Sequence, residues 1–266
     1  MANGEFYLGR KGAGLLSSEQ IIAPLALAPL YDRVVIKVSG ESLGEDRLLE
    51  RRRFTSVAQM IAAVHSIGVT VTVVVGGGNI FRGANADEWG IERDEADDVG
   101  MASTGVNVLL LKSLLRRLGL TPAVFSRGTA EGTGQPYDCE QVRASLQNGA
   151  VALLAGGLGK PGISTDVTAV DAAIDTEAPV VIMSKHGVDG VYTSDPHDPR
   201  DGDAALFIPE LTVSEALEQN LQVMDAAALS LARRHGKLIH VIPAAETYAP
   251  RYVLEGKEIG SRIIPM

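Results

Sequence analysis

Short apolar runs alternate with helical patterns along most of this chain. Between the runs, apolar residues recur at helical spacing, as at Val57, Ile61 and Val64. Uninterrupted apolar strands are typical of parallel sheets that are buried on both faces. The pattern predicts an α/β fold, a three-layer αβα sandwich around a central, mostly parallel sheet. Strands are predicted within 31–44 and 69–79 and at 122–126, 150–156, 179–184 and 237–242, with a short β run at the end of 256–264.

Helices are predicted over 50–67, 100–118, 138–147, 164–176, 212–219 and 224–236. The second of these is indicated by apolar residues at Val106, Leu109, Leu110, Leu114 and Leu118. Ser164 or Thr165 is expected to cap the fourth, with Asp166 in its first turn, where negative charge is favoured. The acidic stretches ERDEADD (92–98) and SDPHDPRDGD (194–203) are interpreted as solvated loops.

Length and composition are those of a globular chain and allow one large α/β domain or two small ones. We expect residues 1–30 to form an N-terminal extension and residues 31–266 to form the domain. The apolar stretch 21–30 holds two prolines and is too short to cross a bilayer, so we expect it to pack on the domain or on a neighbouring subunit. No membrane association is expected.

The charge and cysteine content exclude some classes of function. A net charge of -9 argues against sequence-independent nucleic-acid binding, which needs a basic face. The single cysteine, Cys139, allows no disulfide within the chain and fits a reducing, cytoplasmic compartment. Small phosphorylated ligands remain compatible with this charge, because a local basic pocket is enough to bind them.

Glycines, small residues and cations follow four of the predicted strands. The carboxyl ends of parallel strands share one edge of a sheet, where ligands bind. Glycine allows close approach of backbone N–H groups, and lysine and arginine bind phosphate. Together they predict a polyphosphate site, although each glycine run alone is also compatible with a tight turn, and Lys37 with an edge or snorkelling lysine. The residues are Lys37, Ser39, Gly40, Gly76, Gly77, Gly78, Asn79, Arg82, Gly156, Gly157, Gly159, Lys160, Ser164, Thr165, Asp166, Lys185, Asp189 and Gly190.

The stretch LLAGGLGKPGISTD (153–166) is not a P-loop. The G-x-x-x-x-G-K-[ST] pattern requires glycine at position 154 and Ser or Thr after the lysine. Leu154 and Pro161 occupy those positions, and proline has no backbone N–H for a phosphate.

Several motifs together resemble the amino-acid kinase superfamily and, within it, the bacterial UMP kinases. The similarity runs from about residue 31 to 264 and is most specific in GGGN-x-FRG and K-x-G-VDGVY-x-DP. The motifs, in chain order, are VVIKVSGESLG, VVVGGGNIFRGA, DDVGMASTGVN, STDVTA, SKHGVDGVYTSDP, ELT and LQVMDAAALSLARRH.

The resemblance implies transfer of the ATP γ-phosphoryl group to UMP, with Mg²⁺, in a homo-oligomer that is expected to be a hexamer. It implies no metal ligands of the protein's own. Residues from about 31 to 178 are expected to bind the acceptor, and those from about 179 to 266 to bind ATP.

The implied residue roles fall into three groups. The catalytic group consists of Lys37, Asp166 and Lys185. The ATP contacts are Ser39, Gly40, Gly77, Gly78, Lys185, Tyr192 and Asp195, with Pro196 in the same segment. The acceptor contacts are Gly76, Gly77, Arg82, Asp97, Ser164 and Thr165.

Two segments depart from the family pattern. UMP kinases usually have G-x-G-N-P-F-F-T-T-D where this chain has GLGKPGISTD, so Gly162 and Ile163 replace an aromatic pair and Lys160 an asparagine. MASTGVN stands where M-L-A-T-V-M-N is more usual. Two alternatives therefore stay open at this point: a kinase for another small phosphate, phosphonate, carbamate or carboxylate, and a non-catalytic nucleotide-binding or anion-storage protein on the same fold.

Overall fold

A computed structural model describes residues 28–44, 47–197, 205–221 and 224–266. The predicted packing of residues 21–27, and the loop interpretation of 198–203, lie outside these ranges. The strands in the described ranges are β1 Arg33–Val38, β2 Thr70–Val75, β3 Pro122–Ser126, β4 Gln135–Pro136, β5 Val151–Ala155, β6 Val180–Lys185, β7 Val191–Tyr192, β8 Phe207–Ile208, β9 Glu210–Thr212, β10 Leu238–Pro243 and β11 Ser261–Ile264. The helices there are α1 Arg51–His65, α2 Ala86–Trp89, α3 Arg93–Arg117, α4 Cys139–Gln147, α5 Thr165–Asp175, α6 Val213–Glu218, α7 Ala226–Arg234 and α8 Ala249–Leu254.

In the described part of the chain, nine strands form one sheet in the order β4-β3-β5-β2-β1-β6-β10-β11-β9. Neighbouring strands are parallel except for β10 and β11, so the sheet is mostly parallel, as predicted. A separate antiparallel pair is formed by β7 and β8. None of the helices in these ranges is long and apolar enough to cross a membrane.

Helices cover both faces of the sheet and make the predicted three layers. Along β1, Val34 and Ile36 face one apolar cluster, to which α1, α3 and α8 contribute. Val35 faces the other cluster, to which α4, α5, α6 and α7 contribute. Because side chains alternate along a strand, Lys37 lies on the same face as Val35 and therefore beneath α5.

The acidic stretch 92–98 is not a loop, so that interpretation is wrong. Helix α3 begins at Arg93, well before the predicted start at residue 100. The Glu95 carboxylate accepts a hydrogen bond from the Glu92 N–H at 3.3 Å, and Asp94 and Glu95 lie in the first turn. Negative charge at a helix N-terminus stabilises the helix, so a run of acidic residues here starts α3.

The apolar stripe that predicted α3 is mostly not its buried face. Val106, Leu109, Leu110 and Leu118 are each about two-fifths exposed. The buried face instead mixes apolar residues such as Val108 and Leu111 with small and polar ones. Most other predicted helices and strands are confirmed within a few residues, whereas α2, α8, β4 and the strands from β7 to β9 were not predicted.

Candidate functional site

Lys37 and Asp166 form a buried ion pair at the centre of the sheet. Lys37 is 7% exposed and lies in β1, which is paired with β2 on one side and β6 on the other. Its Nζ lies 2.7 Å from Oδ1 of Asp166, a residue in the first turn of α5 that is 8% exposed. A central, buried, paired lysine is neither an edge residue nor a snorkelling one.

Lys185 lies at the carboxyl end of β6, next to β1. In the register of the two strands Lys37 is opposite Met183, so Lys185 lies two residues further along, on the same face. Asp166 attracts both amines. Three charges from two adjacent strands and one helix N-terminus are thus grouped at the carboxyl edge of the sheet.

Burial and these charges shift the ionisation of the group. Burial alone would raise the pKa of Asp166, but the charges of Lys37 and Lys185 and the hydrogen bond from Lys37 hold this pKa below its ordinary value. Burial lowers the pKa of the Lys185 amine, Asp166 opposes that shift, and Lys37 adds to it. Asp166 is therefore ionised, and Lys185 releases its proton at a lower pH than an exposed lysine does.

Asp225 supports this group and was not predicted from the sequence. Its backbone N–H lies 3.4 Å from Oδ2 of Asp166. Its own carboxylate caps α7 by accepting from the Ala227 N–H at 2.8 Å. The available signal was an aspartate at the second position of the predicted helix 224–236, which is compatible with an N-cap but does not indicate a site.

Ten of the residues to which the resemblance assigns a role, together with Gly157 and Lys160 of the predicted polyphosphate site, line one cavity of about 470 Å³, here called the Arg82 cavity. Ser39, Gly40, Gly77 and Gly78, whose expected partner was ATP, lie in this cavity too. The ten are Lys37, Ser39, Gly40, Gly76, Gly77, Gly78, Arg82, Asp97, Ser164 and Thr165. Further lining residues not named from the sequence as site residues include Glu41, Phe81, Arg93, Met101, Thr104 and Asp225.

Glycine is required where the loops after β1 and β2 meet. A Cβ on Gly40 would lie 2.4 Å from the Gly78 nitrogen and 2.7 Å from the Asn79 nitrogen. A Cβ on Gly76 would lie 2.9 Å from the Gly40 nitrogen. The two backbones therefore approach each other closely and bring their N–H groups to the edge of the cavity.

Arg82 is ion-paired with Glu41, and both residues line the cavity. Both side chains are about half exposed, so the pair is accessible to solvent. An exposed pair of this kind contributes little to stability and can be exchanged for another anion. Arg82 is thus placed to bind a phosphate that enters the cavity.

The loop of residues 156–163, here called the transfer loop, forms one wall of the Arg82 cavity. The Gly156 N–H donates to Oγ1 of Thr104 on α3 at 2.7 Å. Gly159 packs so closely on Gly128 that a Cβ on Gly128 would lie 2.7 Å from the Gly159 Cα. The loop therefore has a defined position against α3 and the segment after β3.

Of the two predicted capping residues, Ser164 and Thr165, it is Ser164 that occupies the N-cap position of α5. Its side chain makes no capping hydrogen bond. Its Oγ is buried and has no hydrogen-bond partner among the described residues. A buried hydroxyl without a partner beside a cavity is suited to bind a polar ligand group.

Lys185, Tyr192 and Asp195 line a second cavity of about 370 Å³, here called the Tyr192 cavity. Both residues of β7, Val191 and Tyr192, line it, and the Tyr192 ring meets the Phe207 ring of β8 edge to face at 5.5 Å. The Ser261 side chain links β7 to β8, because its Oγ accepts a hydrogen bond from the Val191 N–H and donates one to the Ile208 carbonyl. Lys37 lines one cavity and Lys185 the other, with Asp166 attracting both.

The described residues contain no group of three or more His, Cys, Asp or Glu side chains that would hold a metal ion. Mg²⁺ is usually bound by one or two carboxylates, several waters and substrate phosphates rather than by a protein cage. Asp225 lines the Arg82 cavity beside the groups that are expected to bind phosphate, which fits an ion that arrives with a nucleotide.

The chain is similar over most of its length to known kinases. The model of the amino acid kinase family matches residues 32–243. A uridylate kinase of Frankia casuarinae is 37% identical over 236 residues, which are 88% of this chain and 90% of that protein. One of Limosilactobacillus reuteri is 35% identical and covers 88% and 97% of the two chains.

Solved structures agree with these relatives. The UMP kinase of Bacillus anthracis is 35% identical, with a TM-score of 0.83, and the match covers 88% of this chain and 96% of that one. The UMP kinase of Ureaplasma parvum is 32% identical, with a TM-score of 0.80, over 88% and 98%.

Proposed function

The chain belongs to the amino acid kinase family and to its uridylate kinases, and from this we infer that it phosphorylates UMP to UDP with ATP. The observation that carries the inference is the grouping of Lys37, Asp166 and Lys185 between two cavities at the carboxyl edge of the sheet. This arrangement provides a place for an acceptor and for a donor on either side of a cluster of charges.

The proposed reaction is a direct, in-line displacement. An oxygen of the UMP phosphate forms a bond to the γ-phosphorus of ATP, and the bond from that phosphorus to the β–γ bridging oxygen breaks, so ADP leaves with the electron pair. The attacking oxygen is already anionic, so no strong general base is needed. Such a transition state needs positioning and neutralisation of charge more than covalent chemistry.

Each charged group has a proposed role in that step. Lys37 and Lys185 neutralise the transferring phosphoryl group from two neighbouring strands. Asp166 holds both amines in place. Arg82 releases its ion pair with Glu41 and binds the acceptor phosphate instead. Asp97 binds the ribose, and Ser164 and Thr165 contact the rest of the acceptor nucleotide.

The backbone around Gly40, Gly76, Gly77 and Gly78, with Ser39, is proposed to surround the phosphates where donor and acceptor meet. Tyr192 and Asp195 are proposed to frame the ATP nucleoside. Mg²⁺ supplies further charge neutralisation when it is bound, and Asp225 would contribute the protein oxygen to it.

We also propose that residues 31–178 mainly bind the acceptor and 179–266 mainly bind ATP. In support, the residues of the Arg82 cavity lie between 37 and 165 except for Asp225, and those of the Tyr192 cavity lie between 185 and 241. The enzyme would then act in pyrimidine nucleotide synthesis in the cytoplasm, for which the single cysteine is suitable.

A homo-oligomer, with a hexamer as the expected form, is supported by the exposed apolar stripe of α3. Contiguous exposed apolar surface on a soluble protein commonly marks a protein–protein contact. Light scattering of the purified chain measures this directly, and a monomer at micromolar concentration would contradict it.

The function is tested by measuring ADP release from ATP and Mg²⁺ with a panel of acceptors. We expect rapid UDP formation with UMP and slow or no turnover with other nucleoside monophosphates, small phosphonates, carbamates and carboxylates. ADP release only with another acceptor, or tight ATP binding without turnover of any acceptor, would overturn the assignment.

A further inference from the structure

The Asp97 carboxylate connects α3 to the transfer loop. Its Oδ2 accepts a hydrogen bond from the Gly162 N–H at 2.8 Å, and its Oδ1 accepts from Nε of Arg93 at 3.0 Å. The Asp97 side chain is only 14% exposed. A Cβ on Gly83 would overlap Oδ1, so the carboxylate also lies directly against the backbone that follows Arg82.

Gly162 has a backbone conformation that favours glycine. Its φ is +75°, in the left-handed region, and a Cβ there would meet nothing within 4 Å. Glycine is therefore favoured at this position by the conformation and not by lack of space. This is one of the two positions where the family pattern has an aromatic pair.

The transfer loop contributes Gly157, Lys160, Gly162 and Ile163 to the wall of the Arg82 cavity. The position of the loop consequently determines the shape of that cavity. A carboxylate has about four acceptor sites, and the bonds from Gly162 and Arg93 use two of them. Two sites remain for the hydroxyls of a ribose.

We propose that Asp97 and Gly162 form a latch that fixes the transfer loop over the Arg82 cavity and thereby sets the affinity for the acceptor nucleotide. Arg93 acts as a positioning residue, since its Nε donates to Oδ1 of the Asp97 carboxylate, whereas the loop bonds to Oδ2. The proposal rests on the proposed function, and it adds that loop position and ribose recognition depend on the same carboxylate.

The first test compares Gly162→Ala with Gly119→Ala. Both glycines have positive φ and open space around the Cβ position, so alanine brings similar strain at each, but Gly119 does not line the cavity. We expect Gly162→Ala to weaken UMP binding in calorimetry about fivefold, because an L-residue in this region displaces the loop. ATP affinity should change less than about twofold, and Gly119→Ala should leave both unchanged.

A UMP affinity of Gly162→Ala within twofold of wild type, or an equal loss of ATP affinity, would overturn the latch. The second test is a double-mutant cycle with Asp97→Ala. If the two residues act through one hydrogen bond, Gly162→Ala weakens UMP binding much less in the Asp97→Ala background. If Gly162→Ala weakens UMP binding by the same factor in the wild-type and Asp97→Ala backgrounds, the proposal is contradicted.

Hydrogen exchange tests the latch independently of the proposed function. Without nucleotide, the Gly162 amide should exchange about tenfold faster in Asp97→Ala than in wild type, because a charge-assisted bond is lost. Unchanged exchange counts against the latch even if UMP is the substrate. Wild-type protein that neither binds nor phosphorylates UMP counts against the proposed function, whatever the amide does.

Discussion

Asp166 accepts a hydrogen bond from Lys37 at 2.7 Å while both side chains are about nine-tenths buried. Lys37 comes from the middle of the sheet and Asp166 from the first turn of a helix over it. Two opposite charges out of water are stable only as a pair, because either one alone would keep its desolvation cost without the compensating attraction. This pair is therefore the most sensitive point of the proposed site.

Removing either partner is expected to reduce turnover strongly. Lys37→Ala should lower kcat about 10²-fold or more, because charge neutralisation at the phosphoryl group is lost, and Asp166→Asn should do the same, because the two amines are no longer held in place. Asp166→Asn should also lower the free energy of unfolding by about 3 kcal/mol, since Lys37 is left unpaired. Steady-state kinetics and urea denaturation measure both effects. Asp32→Asn, on an exposed carboxylate, is the control, and wild-type turnover in Asp166→Asn would refute the site.

The lowered pKa of Lys185 predicts a basic limit to activity. Lys185 neutralises charge only when protonated, and burial favours its neutral form. The value of kcat/KM for ATP, which reports the enzyme before ATP binds, should therefore begin to fall with rising pH at a pH below the ordinary lysine value of 10.5. In Lys185→Arg the fall should disappear from the measurable range, because arginine keeps its proton, although kcat itself is lower. The same descending limb in both proteins would assign it to another group.

Close contact between the loops after β1 and β2 predicts that alanine destabilises the protein at Gly40 but not at Gly78. Gly40→Ala would place its Cβ against the backbone nitrogens of Gly78 and Asn79 and should cost about 2 kcal/mol of stability. Gly78→Ala is the matched comparison, because its Cβ meets only the flexible Arg82 side chain, at 3.6 Å. Its stability should lie within about 0.5 kcal/mol of wild type. Equal denaturation midpoints for the two variants would contradict this contact.

Because His240 is buried, we predict that the protein loses stability at mildly acidic pH. It lies in β10 opposite Arg262 of β11, and its Nε2 is buried with no hydrogen-bond partner in the described ranges. Burial, and secondarily Arg262, lower the pKa of His240 from 6.5 to about 4. The folded protein keeps this histidine neutral while the unfolded chain takes up a proton, so stability falls as pH drops from 6.5 towards 4.

The expected contribution of His240 is a loss of about 2 kcal/mol between pH 7 and pH 5. Urea denaturation at the two pH values measures it. His240→Gln should lack this part of the decrease, whereas His235→Gln, at an exposed position after α7, should retain it. An unchanged decrease in His240→Gln would show that other groups cause it.

The strands were predictable because β-branched runs ended in glycine or serine, and in a parallel sheet those ends meet at one edge. The sequence pattern therefore predicts that Lys37, Gly77 and Lys185 lie at the same edge of the sheet. The first turns of α3 were not recognised, since charges at a helix start look like charges in a loop. Its buried face was missed because it contains polar residues such as Thr104 and Asn107, which pack on glycine loops instead of an apolar core.

Other parts of the site depend on contacts that local patterns do not encode. Asp225 reaches Asp166 only because α7 packs beside α5 on one face of the sheet. The hydrogen bond from Gly162 to Asp97 joins segments that are 65 positions apart. Short strands such as β7 and β8 have two residues each and no periodicity to detect.

The place of Lys37 and Lys185 on adjacent paired strands has a consequence for motion. Neighbouring strands are held about 4.8 Å apart by their hydrogen bonds. The distance between the backbones that carry the two amines is therefore constant. Any rearrangement that accompanies the proposed turnover must then come from the loops around these strands. Mutations in the transfer loop can thus change which acceptor is admitted while the spacing of the charges stays the same.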